Sequence, residues 1–278
     1  TIDAAAFQRM VIHAYAAINA QKQAINDLNV FPVPDGDTGT NMTLTIGAAA
    51  QDMKKKQYDG VGQAANAAAS ALLRGARGNS GVILSLLFRG IAKSLKDRET
   101  IDGRDLAIAL DFGVAAAYKA VMKPAEGTIL TVSRMAAARA AGAAREDNCF
   151  EAVLEAAIQE GQLALADTVN QNPVLKKAGV VDAGGKGFLV ILQGMLDSLR
   201  GEPMPQVEEE SAPADKADFV AMAAEDITFA FDTVFIVRKH TEEVDLEPFR
   251  TYLNGIGDSL VIGEDDETFK VHVHTDIP

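Results

Sequence analysis

Cysteine is almost absent from this 278-residue sequence, in which Cys149 is the only one. An intrachain disulfide is therefore excluded, and so is a zinc site built from four cysteines of one chain. A reducing compartment such as the cytoplasm fits this cysteine usage best.

Long apolar runs are also missing. No stretch reaches the roughly 18 apolar residues that span a bilayer, so we expect no integral membrane segment. Polar residues interrupt the first 24 positions, which therefore lack the apolar core of a signal peptide. The chain begins without Met and stops directly after a predicted strand, and we expect it to be an excised piece of a longer protein.

Positive charge is scarce and is nowhere clustered. The sequence has 26 Lys and Arg against 39 Asp and Glu, and its formal net charge is −13. Without a basic block we expect no nucleic acid or anionic membrane as a partner, since phosphate neutralisation needs clustered cations. Residues 1–200 contain 21 basic and 20 acidic residues, whereas 201–278 contain 5 and 19, which indicates a domain boundary near residue 201.

Hydrophobic periodicity predicts a helical first part. Residues 3–28 show apolar side chains at spacings of three and four, which is typical of an amphipathic helix. Further helices are predicted at 40–56, 60–75, 80–96, 104–121, 127–145, 149–168 and 184–199. We therefore expect an all-α bundle or barrel over residues 1–200.

The remainder has a different pattern. Residues 201–217 contain three prolines and three consecutive glutamates, as expected of a linker. Aromatic and β-branched residues predict strands at 228–237, 259–262 and 268–274, with a helix at 245–255. The order β-α-β-β predicts a small, truncated α/β domain over residues 218–278.

The most informative segment is Asn29–Met42, where Asp35 and Asp37 lie on either side of a glycine. In an extended loop their carboxylates face one side, and two such charges repel unless a cation lies between them. Oxygen ligands without nearby Cys or His suit Mg²⁺, which completes its shell with water and nucleotide phosphates. The alternative is a surface turn with Thr38 as helix cap, which turn statistics favour for this pentapeptide alone.

Two more glycine-rich loops, Arg77–Gly81 and Val181–Gly187, each precede a predicted helix. Backbone N–H groups at a helix N-terminus can hold phosphate oxygens, although each loop alone is more typical of ordinary helix capping. Neither loop matches the P-loop or the dinucleotide fingerprint. Three such loops in one helical region, one of them with paired carboxylates, favour a phosphate-binding site.

Together with Gly75–Ser85 and Gly127–Val132, these segments resemble the nucleotide-binding domain shared with the DhaL subunit of dihydroxyacetone kinase. The form Asn-Val-Phe-Pro-Val-Pro-Asp-Gly-Asp-Thr-Gly and the C-terminal Lys-Val-His-Val-His-Thr are more similar to the ATP-binding subunit of bacterial fatty acid kinase. The resemblance covers essentially the whole chain. It implies an α + α/β protein in which an eight-helix antiparallel barrel binds ATP at one end.

The resemblance also implies a set of site residues. Asp35 and Asp37 would hold Mg²⁺ ions bridging the ATP phosphates, with Asn29 as the preferred third ligand and Asp27 as the second choice. The residues implied to contact phosphates or nucleotide, or to cover the nucleotide, are Thr38, Gly39, Thr40, Asn41, Asn79, Ser80, Gly81, Thr128, Leu130, Asp182, Ala183, Gly184 and Gly185.

A second metal site is suggested near the C-terminal end. His272 and His274 alternate on a predicted strand, so their rings share a face. In the fatty acid kinase family a cysteine on the first strand of this domain joins them, and here Asp232 stands at that position. Asp with two His can bind zinc, and simple hydrogen bonding between the histidines is an equally good expectation.

The implied function is transfer of a phosphoryl group from ATP to the carboxylate of a fatty acid, giving an acyl phosphate. By the same resemblance a separate fatty-acid-binding protein presents the acid, and the kinase subunit is a homodimer. Two alternatives stay open: a kinase of dihydroxyacetone or another small hydroxy compound, and a nucleotide-binding regulatory module without turnover.

Overall fold

The computed structural model describes residues 1–206, 229, 231–241 and 244–278. Within residues 1–206 it has eight long helices and two short ones, α2 (Lys22–Asn26) and α9 (Pro173–Ala178). The long helices are α1 (Ala4–Ala20), α3 (Thr38–Lys55), α4 (Val61–Gly75), α5 (Gly78–Ser94), α6 (Gly103–Ala120), α7 (Ile129–Glu146), α8 (Phe150–Gln171) and α10 (Ala183–Leu199). Most of the predicted linker, and residues 218–228 of the predicted second domain, lie outside the described residues.

The long helices form the predicted antiparallel barrel. Each packs on the next along the chain, and α10 returns to α1 to close the ring. Buried alanines and glycines allow the close approach, as at Gly90, where a Cβ atom would overlap the Phe112 carbonyl oxygen of α6. None of the described helices is both long and apolar enough to cross a bilayer.

The first predicted helix is divided in two, which corrects the expectation of one helix over 3–28. The chain leaves α1 at Gln21, whose backbone N–H donates to the carbonyls of Ile18 and Asn19. Helix α2 then packs against α3 and buries Ile25 and Asn26. Because α2 continues to bury apolar residues, the helical spacing in the sequence does not reveal the break.

A three-stranded sheet follows, as predicted. Its strands are β1 (Phe231–Arg238), β2 (Gly257–Glu264) and β3 (Thr268–Thr275), with α11 (Glu247–Ile256) between the first two. The strand order is β1-β3-β2 and both pairings are antiparallel. Alternate residues of β3 face opposite ways, so Phe269, Val271 and Val273 pack in a small core with α11, while its even-numbered residues face away.

The even-numbered face of β3 lies against the barrel. Val261 of β2 joins the barrel core and bridges to Val121, and Arg89 pairs with Asp266 at 2.8 Å. Lys270 is buried between the sheet and the end of α4, where burial and the neighbouring Arg77 lower its pKa to about 8. The sheet therefore forms a wall at one end of the barrel.

Candidate functional site

One end of the barrel opens into a cleft whose volume, counted together with the open solvent at its mouth, is roughly 600 Å³. Alternate helices of an antiparallel ring point the same way, so α3, α5, α7 and α10 all begin at this cleft, and β1 and β3 close its far side. The lining residues are Asn29, Phe31, Pro32, Val33, Asp35, Asp37, Thr38, Asn41, Gly78, Asn79, Ser80, Ile83, Ile129, Asp182, Gly184, Asp232, His272 and His274. Four of them are aspartates, and in the described part of the chain no lysine or arginine lines the cleft.

The paired aspartates face each other inside the cleft. Asp35 is close enough to Asp37 for their carboxyl groups to share a hydrogen bond. Burial first, and then the charge of Asp37, raise the pKa of Asp35 to about 7. Such a pair holds a shared proton or a cation, and this donor set of carboxylate oxygens suits Mg²⁺.

Asn29 organises this loop. Its Oδ1 accepts hydrogen bonds from the backbone N–H groups of Asp37 and Thr38, at 3.0 and 2.9 Å. Its Nδ2 donates to the carbonyl of Val33. Asn29 thus caps α3 in place of Asp37, whose own side chain makes no capping bond and stays available to the cleft. Because both polar atoms of Asn29 are engaged, its predicted place as third metal ligand competes with this capping role.

Residues of α2 also fix the first turn of α3 on the side away from the cleft. The side-chain oxygen of Asn26 accepts a hydrogen bond from the backbone N–H of Thr40 at 3.0 Å, so that N–H is not available to a phosphate. A Cβ atom at Gly39 would overlap the carbonyl oxygen of Lys22. Gly39 is therefore required by the packing of α2 on α3. Thr38 and Asn41 remain as the cleft-lining residues of this turn.

The second glycine loop meets the cleft with its first residues. Gly78 has a φ of 56°, a left-handed conformation that favours glycine, and its backbone lies against Asn41 of α3. The side-chain oxygen of Asn79 is buried and has no hydrogen-bond partner among the described residues. A buried acceptor without a partner at a cleft wall is suited to a ligand donor or a cation.

The third predicted loop is the start of helix α10 rather than a loop, and its role in covering the nucleotide stays a prediction. Asp182 caps α10, its Oδ2 accepting from the backbone N–H of Gly185 at 2.7 Å. Ala183, Gly184 and Gly185 are buried in the first turn. Burial raises the pKa of Asp182 to about 6, although hydrogen bonds from the backbone of Gly185 and Ile129 oppose the rise.

The predicted second metal group lies in the same cleft. His272 Nε2 and His274 Nε2 are 3.2 Å apart, and ligand atoms of Asp232 and both histidines lie within 4.8 Å of one another. Ligands of a tetrahedral zinc ion are separated by about 3.3 Å, given Zn–N bonds of about 2.0 Å. Burial, then the charges of His274 and Lys270, lower the pKa of His272 to about 3, so this ring is neutral as a metal ligand must be.

Carboxylates also lie beside the other nitrogens of these two rings. His272 Nδ1 is 3.2 Å from Asp232 Oδ1 without the alignment of a hydrogen bond, and His274 Nδ1 is 3.6 Å from Asp258 Oδ1. Burial, and to a lesser degree the charge of Asp37, raise the pKa of Asp232, while His274 lowers it. The charge of Asp37 therefore reaches Asp232 within the cleft.

Several residues implied by the resemblance lie behind the cleft wall. Thr128 caps α7, Leu130 is fully buried, and a Cβ atom at Gly81 would overlap the Thr45 hydroxyl. Asp27 accepts a hydrogen bond from Gln23 and does not line the cleft. The residues of the predicted set that are not in the lining are Asp27, Gly39, Thr40, Gly81, Thr128, Leu130, Ala183 and Gly185.

Sequence reasoning missed the apolar part of the lining. Phe31, Pro32 and Val33 come from the proline-containing loop, Ile83 comes from the second turn of α5, and Ile129 is the first residue of α7. The sequence feature that points to these residues is their position along the chain, close to the glycine loops. Apolar residues at such positions cannot be distinguished from core residues by type alone.

Two family models match separate parts of the chain. Residues 32–197 match the DAK2 domain, and residues 228–278 match the FakA-like middle domain of fatty acid kinase. A solved dihydroxyacetone kinase of C. freundii in its native form has a similar fold, with a TM-score of 0.52 and 20% identity. That similarity covers 71% of this chain and 36% of the kinase.

Curated relatives match the chain over its whole length. Protein YloV of Bacillus subtilis is 42% identical over 287 residues, covering 100% of this chain and 52% of YloV. An uncharacterized protein of Staphylococcus saprophyticus is 42% identical over 285 residues, covering 100% of this chain and 51% of the relative. The chain therefore spans about half the length of the curated relatives it matches.

Proposed function

This chain belongs to the DAK2-domain family, and we propose that it is the nucleotide-binding subunit of an ATP-dependent kinase whose substrate is a fatty acid carboxylate. The supporting observation is the charge of the cleft, where Asp35, Asp37, Asp182 and Asp232 converge without a lining lysine or arginine among the described residues. With four aspartates in its lining, such a cleft favours a polyanion such as ATP when divalent cations accompany it.

Asp35 and Asp37 are the residues proposed to hold Mg²⁺. They fit the ion because they are adjacent and because an ionised carboxylate acts only as a hydrogen-bond acceptor or metal ligand. Their mutual repulsion also helps to raise the pKa of Asp35 to about 7. Mg²⁺ held by these two carboxylates would supply the positive charge that phosphoryl transfer from ATP requires. Asn29 keeps the two carboxylates in place by capping α3, and the positive ends of four helices add to the attraction for phosphate.

Asp232, His272 and His274 are proposed to hold zinc on the opposite wall. The 3.2 Å separation of the two Nε2 atoms and the neutral state of His272 fit zinc ligands. Zinc held by these three residues would supply Lewis-acid chemistry in the cleft. Asp258 would orient His274 through its other ring nitrogen.

The fatty acid substrate is proposed from the similarity of residues 228–278 to the fatty acid kinase middle domain. A carboxylate is already ionised at neutral pH, so transfer to it requires no general base. We also propose that a separate fatty-acid-binding protein presents the acid. The solved dihydroxyacetone kinase supports a second candidate, a small hydroxy compound, because the fold is shared.

Titration of the chain with ATP, with and without Mg²⁺, tests the nucleotide site. We expect binding only with Mg²⁺, and Asp37→Asn should weaken it by about tenfold or more, since a charged ligand contributes at least ~1.4 kcal/mol. Asp52→Asn is the matched control, because Asp52 lies on the same helix but pairs with Arg74 outside the cleft. ATP binding that is equally strong in EDTA would refute the metal-bridged site.

Product analysis separates the two substrate classes. With ATP, Mg²⁺ and a fatty acid loaded on a carrier protein, we expect acyl phosphate, detected as hydroxamate after trapping with hydroxylamine. Dihydroxyacetone in place of the loaded carrier should give no phosphorylated product. The reverse pattern would select the small hydroxy compound and remove the fatty acid proposal.

A further inference from the structure

Lys270 is an ammonium group buried at the junction of the sheet and the barrel. It lies on β3, the central strand, and the residue is 4% exposed. Its Nζ donates hydrogen bonds to the carbonyl oxygens of Ala76 and Arg74, the latter at 3.4 Å. Both carbonyls belong to the C-terminal end of α4, so one side chain of the sheet is attached to the end of a barrel helix.

The partners of Lys270 are unusual for a buried cation. Burying an ammonium is costly unless it is paired, and among the described residues Lys270 forms no ion pair with a carboxylate. The last carbonyls of a helix have no partner inside the helix and lie at the negative end of its dipole. Lys270 therefore satisfies the end of α4, and its charge is offset by that helix end.

The attached helix end leads directly into the cleft. Ala76 is followed by Arg77, the N-cap residue of α5, and then by Gly78 and Asn79, which line the cleft. On the strand side, His272 lies two residues after Lys270 on the same face of β3 and also lines the cleft. The ammonium thus connects the strand of one wall to the glycine loop of the other wall.

We propose that Lys270 is a positioning residue of the nucleotide cleft, which holds the loop at Gly78 and Asn79 at a fixed distance from His272 by hydrogen-bonding the end of α4. The proposal rests on the proposed function for its nucleotide. Its geometric part, the ordering of the glycine loop by the sheet, does not need a nucleotide to be tested.

Lys239 provides a matched control in the same sheet. Its side chain is 5% exposed, and its Nζ bonds Glu264 at 2.7 Å and the carbonyl of Asp265 at 2.8 Å, all within the α/β part. Lys239→Met therefore removes a buried ammonium from the sheet without touching α4. Lys270→Met removes the one that reaches α4 and keeps the apolar length of the side chain.

Two measurements on wild type and both variants decide the proposal. Lys270→Met should weaken the binding of Mg²⁺·ATP by about tenfold, as expected for lost hydrogen bonds to a charged group, whereas Lys239→Met should stay close to wild type. Without nucleotide, amide hydrogen exchange at residues 77–82 should become faster in Lys270→Met only. Equal effects of the two variants, or none, on both measurements would overturn the proposal.

The binding and exchange measurements distinguish a failure of this inference from a failure of the proposed function. A wild-type chain that does not bind Mg²⁺·ATP contradicts the proposed function, and the exchange measurement then still decides whether Lys270 orders the loop. If Lys270→Met does not fold, ¹⁵N spectra of lysine ammonium groups in wild type take its place. The buried Lys270 signal should shift on addition of Mg²⁺·ATP while that of Lys239 does not, and an unchanged Lys270 signal overturns the proposal.

Discussion

Asp182 gives the sharpest quantitative test of the cleft, because its carboxyl group is fully buried and titrates in an accessible range. Burial raises its pKa from the ordinary 3.8 to about 6. The folded protein therefore binds this proton more tightly than the unfolded chain does. Asp182→Asn replaces the group with a neutral side chain that keeps an oxygen for the N–H of Gly185.

The sign follows from linkage. A raised pKa in the folded state gives stabilisation that is complete below pH 3.8 and is lost as the pH rises through about 6. A shift of about two units corresponds to about 3 kcal/mol at neutral pH, of which about 2 kcal/mol falls between pH 4.5 and 7.5. The stability of Asp182→Asn relative to wild type should therefore increase by about 2 kcal/mol over that interval.

Urea unfolding followed by circular dichroism measures this difference at several pH values, in EDTA and without nucleotide so that no ligand contributes. Asp167→Asn is the control. Hydrogen bonds from Asn170 and Gln171 lower the pKa of Asp167, so its contribution changes only below pH 3.8. Its difference from wild type should stay flat from pH 4.5 to 7.5.

A difference for Asp182→Asn that is equally flat would refute the reasoning. It would mean that water or a conformational change solvates the carboxylate, and that the first turn of α10 is not packed as described. A constant offset between the proteins does not affect the test, because loss of hydrogen-bond quality in the asparagine is independent of pH.

Two further predictions concern Gly39, which packs behind the cleft, and His272, which lines it. Gly39→Ala should reduce the free energy of unfolding by about 2 kcal/mol or more, because the new Cβ meets the Lys22 backbone. The control Gly142→Ala, with only Arg139 nearby, should be neutral or stabilising by up to about 1 kcal/mol. Urea titrations compare the two variants, and equal stabilities would contradict the packing argument. His272→Ala should abolish zinc retained after dialysis, measured by plasma emission spectroscopy, while the exposed His240→Ala should retain it. Equal zinc in wild type and His272→Ala would remove the second metal site.

The sequence predicted the helical barrel and the sheet well, for reasons seen in particular segments. The eight long helices have clear apolar periodicity, and the strands have aromatic and β-branched residues. The break at Gln21 was not predicted, since apolar spacing persists into α2. The short helix Pro173–Ala178 was missed as well, because six residues contain too little periodicity.

In the glycine loops, residue type and spacing do not distinguish a glycine that contacts a ligand from one that packs against another backbone. A glycine at a helix start can approach a phosphate or another backbone, and the sequence pattern is the same in both cases. Gly39 and Gly81 are positions of close packing, whereas Gly78 and Gly184 line the cleft. Their roles as ligand contacts stay predictions until a nucleotide is bound.

The sequence alone determined which chemical groups were available: paired aspartates flanking a glycine, three glycine loops at helix starts, and two histidines on one strand face. These are local patterns, set by residue type and by the periods of helix and strand. Tertiary structure alone decided that they share one cleft, because an antiparallel ring brings four helix N-termini to the same end. It also decided that Asp232, His272 and His274 face Asp37, since Lys270 and the contacts around it place the sheet across that end. No local sequence pattern encodes a distance between segments about 200 residues apart.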